Sequence, residues 1–202
     1  MNLTIIPVLG LWLLLQQDSS LLLERATAPS KPTGTIATGV SVVEVEMDGK
    51  TGSIQTRPLY GSSPFVAPGL NALMNWRFAV PPGASRARTS VTFLFRSPAI
   101  YAINIPRPMV RPYANSKTTS ALPQEITDTG YPAGTDIESV VIMAARINAE
   151  GSVIGVEKFS GQTALFNQAQ AAVRAWKFSP AQISGKPVSS TAYVVISFVR
   201  PT

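Results

Sequence analysis

Between residues 40 and 47 apolar and polar positions alternate, with Val43, Val45 and Met47 set against Glu44 and Glu46. A period of two puts the two sets on opposite faces of a strand, so the pattern predicts a half-buried β-strand. Asp48-Gly49-Lys50-Thr51-Gly52 supplies turn residues and Ser53-Ile54-Gln55-Thr56-Arg57-Pro58-Leu59 resumes the extended pattern. The pair reads as a hairpin, with Pro58 marking an edge or a strand end. The period then changes: Phe65, Val66, Gly69, Ala72, Leu73 and Trp76 recur at helical spacing. Because proline fits only the first turn of a helix, the regular helix is expected to start near Pro68. Residues 89–95 close the series as a third strand, with Val91, Phe93 and Phe95 on one face.

The same order returns further along. Residues 139–147 form a strand, Asn148-Ala149-Glu150-Gly151 a turn, and residues 152–159 a second strand. A helix over 163–176 follows, with Leu165, Phe166, Ala169, Ala172, Val173 and Trp176 on its apolar stripe. Gly185-Lys186-Pro187 then turns into an extended segment over 188–199 whose Tyr193, Val195, Ser197 and Val199 oppose Val194, Ile196 and Phe198. Trp76 and Trp176, Phe78 and Phe178, and Gly61 and Gly161 are each separated by 100 positions. Agreement of register and of element order predicts a duplicated unit, with the two tryptophans as packing anchors.

Outside the repeat the patterning is weaker. Residues 3–15 are an apolar run, short for a membrane span of ~20 residues. It fits the core of a secretory signal, with an uncleaved anchor or a buried helix as alternatives, and Ala26-Thr27-Ala28 offers a small-x-small cleavage pattern. Residues 29–38 read as a linker, and so does the proline-rich, aperiodic stretch 98–134, which contains Ile105-Pro106-Arg107-Pro108. The expected organisation is a signal peptide or N-terminal anchor over 1–28, one domain over 38–97, a Pro-rich linker over 98–134 and a second domain over 135–202.

Composition narrows the chemistry. The chain has no histidine and no cysteine, which removes the commonest general base, a thiolate nucleophile and the usual zinc ligands. The carboxylate pairs Glu44/Glu46 and Asp136/Glu138 lie two apart, and on a strand each pair would face one solvated side, as surface patterning does. The net charge is +6, but the basic residues are scattered singly, which predicts a solvated basic surface and no nucleic-acid site. Neither catalysis nor a cofactor is expected.

Tyr131-Pro132, Glu150-Gly151-Ser152-Val153, Ser160-Gly161, Val173-Arg174-Ala175-Trp176-Lys177-Phe178-Ser179-Pro180-Ala181 and Gly185-Lys186-Pro187-Val188 together make a recognisable set. The segment carrying them resembles the C-terminal domain of TonB-type energy transducers. Residues 40–95 resemble a degenerate second copy that keeps Asn75-Trp76-Arg77-Phe78 at the helix exit. The resemblance implies an α+β fold of two tandem small domains, each a three-stranded antiparallel sheet with a helix on one face (β-β-α-β). It also implies a periplasmic protein, exported by its N-terminal signal or tethered to the inner membrane. In that family the last strand pairs with a short segment of an outer-membrane transporter. Here the contact would run along Val188, Tyr193, Val195, Ser197 and Val199, with Tyr131 and Pro132 nearby, and the edge strands could also serve a homodimer. A working transducer needs positive flanks on its anchor and a long spacer, whereas only about twenty residues separate the apolar run from the first patterned unit. The expectation is therefore a non-enzymatic interaction module that binds a partner peptide by strand addition, with energy transduction as the alternative.

Overall fold

The computed structural model describes residues 20–98 and 117–199. The first half runs β1 (Leu22–Arg25), β2 (Gly39–Asp48), β3 (Ile54–Tyr60), α1 (Ser63–Leu73), β4 (Arg77–Ala79) and β5 (Arg86–Phe95). The second runs β6 (Leu122–Glu125), β7 (Ser139–Ile147), β8 (Val153–Ser160), α2 (Thr163–Arg174), β9 (Lys177–Ser179), the short hairpin of β10 (Ala181–Ile183) and β11 (Lys186–Val188), and β12 (Ser190–Phe198). α1 begins five residues before the expected start, with Pro64 in its first turn and Pro68 inside it. Pro68 lies on the buried face with Ala72 and Leu73, and that burial offsets the backbone hydrogen bond its ring removes.

The two expected three-stranded sheets are joined into one. Six strands pair in the order β3-β2-β5-β12-β7-β8, antiparallel throughout except at the centre, where β5 and β12 run parallel from Val91 opposite Tyr193 to Phe95 opposite Ser197. The reason lies in the patterning of these two strands. From residue 91 to 95 and from 192 to 198 every side chain is buried, and a strand buried on both faces belongs inside a covered sheet.

Alternate residues of the central strands divide between two cores. Val194, Ile196 and Phe198 pack with Leu165, Ala169, Val173 and Trp176 under α2. Tyr193 and Val195 pack with Ala72, Leu73 and Trp76 under α1, together with Phe93 and Phe95. Because neighbouring residues of one strand point to opposite faces, the two helices lie on opposite sides of the sheet.

The correspondence between halves extends into segments whose sequence reads as leader and linker. β1 pairs with β4 and β6 with β9, each with a register irregularity at the same place. Trp76 Nε1 donates to the Thr27 carbonyl at 2.8 Å and Trp176 Nε1 to the Thr127 carbonyl at 2.9 Å. Leu21 and Leu122 are fully buried. Residues 20–28 are therefore part of the fold, and cleavage after Ala28 would strip β1 from its partner. The apolar run 3–15 and the Ile105-Pro106-Arg107-Pro108 stretch lie outside the described residues. Residues 117–134 are built in: Ala121, Leu122, Ile126 and Tyr131 join the α2-side core. Four-residue ribbons and single anchoring side chains carry no periodic signal, and the prolines dominate the local pattern.

Candidate binding surfaces

The residues expected to form the partner contact are dispersed and largely internal. Tyr193 is buried, and its hydroxyl donates to the Leu21 carbonyl at 2.9 Å while accepting the Leu23 N–H at 2.8 Å. Val195 and Ser197 are buried in the same strand. Tyr131 is buried too, donating to the Ile137 carbonyl at 2.6 Å and meeting Phe198 edge-on. Pro132 is half-buried beside it, and Val188 sits on β11 opposite Ala181. Val199 and Ser197 line a cleft of about 270 Å³ at the ends of β5 and β12, together with Lys31, Ile36, Phe95 and Arg96.

A free edge along 188–199 does not fit this arrangement, because β12 has β5 on one flank and β7 on the other. Strand addition needs unpaired N–H and C=O groups in a row, and those lie on the outer strands, β3 and β8. The two edges differ. β3 carries Pro58, which removes a donor. β8 has no proline and presents Ile154 and Phe159 among its exposed side chains. Beside it, the exposed Arg146 guanidinium reaches across Gly155 to Glu157. No feature of the apolar pattern in 152–159 distinguishes it as an outer strand, so reading the sequence alone put the edge on the wrong member of the sheet.

The carboxylates are engaged. Glu44 is buried rather than solvated, held between the Arg57 guanidinium and the Ser120 hydroxyl, which donates to it at 2.9 Å. Glu46 pairs with Arg86 at 3.1 Å and Arg88 at 2.8 Å, and Glu138 with Lys31. Among the described residues there is no group of three or more acidic side chains placed to hold a metal ion. None of the described helices is long and apolar enough to cross a membrane.

A helix laid across a hairpin, a tryptophan at the helix exit and a closing strand thus recur in the second half. Residues 133–199 match the family described as Gram-negative bacterial TonB protein C-terminal. The match covers a third of the chain and takes in β7, β8, α2 and β9 to β12. It supports the TonB C-terminal resemblance of that segment, and the domain of that family is a non-enzymatic interaction domain of envelope proteins. No curated protein and no solved structure matches the chain.

Proposed function

We propose that the chain is a non-enzymatic, periplasmic interaction protein of the cell envelope, exported by its N-terminal signal or tethered to the inner membrane, that binds an extended peptide by strand addition. The family match over 133–199 supports the class of function. The reading that the peptide pairs on β8 is supported by one observation: both flanks of β12 are taken, while within the matched segment β8 has a strand partner, β7, on one side alone. The peptide would pair along β8, with apolar side chains against Ile154 and Phe159 and an acidic one beside Arg146. We also read the two halves as a duplicated TonB-like unit whose equivalent strands β5 and β12 have closed on one another. An outer-membrane transporter is the partner class the resemblance offers. Energy transduction is the second reading, favoured by the same match, and it would require a partner strand at β12 in place of β5.

A photo-cross-linking residue placed at Phe159, at Gln55 or at Tyr193 in intact envelopes separates these readings. Capture of an envelope protein from Phe159 is the expected result. Capture from Tyr193 with none from Phe159 would return the contact to β12, and crosslinks between copies of the chain would make the free edge a dimer interface.

A further inference from the structure

We propose that Arg25 and Arg77 form a phosphate-binding pair on the outer face of the β1–β4 ribbon. The two arginines are direct cross-strand partners, and both are exposed. Like charges placed opposite one another in a ribbon are destabilising unless something neutralises them. At the corresponding place in the second half Glu125 faces Lys177, so the duplicate position carries a complementary pair. Five other arginines, Arg57, Arg86, Arg88, Arg96 and Arg146, each reach a carboxylate. Arg25 and Arg77 have no ion pair or hydrogen bond among the described residues, and Glu24, at the irregular position between Leu23 and Arg25, forms no ion pair with either.

The ribbon beneath them is held in place. Leu23 and Phe78, the inward-facing pair, join the α1-side core, the Leu23 N–H donates to Tyr193, and Trp76 is bonded to Thr27. Two guanidinium forks on a fixed ribbon suit the several oxygens of one phosphate group better than a single carboxylate, because each fork can give two parallel N–H bonds. Two exposed apolar side chains lie close in the chain, Met74 three positions before Arg77 and Leu22 three before Arg25, at 83% and 49% exposed. Exposed apolar side chains so close in the chain to a cationic pair suit the phosphate of a lipid headgroup as well as free phosphate.

The test uses the full chain and follows the Nε–H signals of the arginine side chains by NMR. Inorganic phosphate is titrated against chloride at matched ionic strength, and vesicles of phosphatidylglycerol against phosphatidylcholine. The proposal expects Arg25 and Arg77 to respond selectively to inorganic phosphate, to phosphatidylglycerol, or to both, and the responding arm names the source. The R25E variant copies the complementary pair of the second half, so it keeps the fold, which its backbone spectrum checks. Its affinity for the responding probe should fall by about tenfold or more, the loss expected for one charge-assisted contact. No selective response to either probe, or an undiminished response in R25E, would overturn the site.

Discussion

The two halves of the sheet share their element order and differ in how each is tied to the other. The segment before β2 reaches β12 through neutral groups: the Tyr193 hydroxyl bridges Leu21 and Leu23, and the Thr191 N–H donates to Ser20 Oγ at 2.8 Å. The segment before β7 reaches back to the first half largely through charge. Arg88 donates to the Thr118 carbonyl at 2.7 Å, Ser120 donates to Glu44, and Arg96, at the end of β5, forms an ion pair with Asp128 whose side chains are both 1% exposed. The backbone plan is the same on both sides, while the cost of breaking each clamp is not. A neutral hydrogen bond forfeits its own modest worth, whereas a dry ion pair leaves a stranded charge when one member goes.

The largest expected effect follows directly. Asp128→Ala leaves the Arg96 guanidinium buried against Phe198 without its counter-charge, and should destabilise by about 3–5 kcal/mol. Tyr193→Phe, which cuts the neutral clamp, should cost about 1–3 kcal/mol. Urea denaturation of the two variants compares the clamps directly. Equal losses would mean that Asp128 carries no more than a hydrogen bond's worth.

This asymmetry explains how far the sequence could be read. Period-two and period-3.6 patterning located β2, β7, both helices and β12, because each buries one face or two along several residues, and the turn residues after β2 and β7 located their hairpin partners β3 and β8. The offset of 100 between Trp76 and Trp176 reappears in their hydrogen bonds to Thr27 and Thr127. What patterning misses is whatever depends on a partner distant in sequence. Nothing in 192–198 says that its second flank is filled by residues 91–95, although apolarity on both faces was the available hint. Ser20, Ser120, Asp128 and Glu44 are polar, so they read as solvent-facing until their partners are known. For that reason the outer strands, β3 and β8, are not where the apolar pattern of 188–199 points.

The hairpin turns sharpen the comparison at intermediate cost. Gly52 and Gly151 both adopt positive φ, at 70° and 81°. A Cβ on Gly52 meets open space, but on Gly151 it would stand 1.9 Å from the Phe178 carbonyl oxygen. That contact is tight because the Phe178 N–H donates to the Gly151 carbonyl at 2.9 Å, tying the second hairpin to β9. Gly52→Ala should therefore cost only the left-handed backbone penalty of about 1–2 kcal/mol. Gly151→Ala adds a backbone clash and should cost more, with a lower urea midpoint. Matching midpoints would show that the β8–β9 approach relaxes freely.

The smallest effect concerns acid. In the first hairpin Asp48 Oδ1 accepts the N–H groups of Thr51 at 3.0 Å and Lys50 at 2.9 Å; in the second, Asn148 Oδ1 accepts the Ser152 N–H at 2.8 Å. The Thr51 N–H, followed by that of Lys50, holds the Asp48 carboxyl below its usual 3.8. A group whose folded pKa is depressed lends its stabilisation above the unfolded value and loses it as pH falls through the folded one. The first turn should thus loosen below pH 3.8, while the neutral Asn148 turn holds. Asp48 sits half-exposed at the turn, so the change is local: amide signals of Lys50 and Thr51 should shift and exchange faster on acidification, and those of residues 149–152 should stay. Asp48→Asn should remove the acid response while keeping the turn, making the first hairpin a copy of the second. An acid response that survives this substitution would show that the Asp48 carboxyl is not its source.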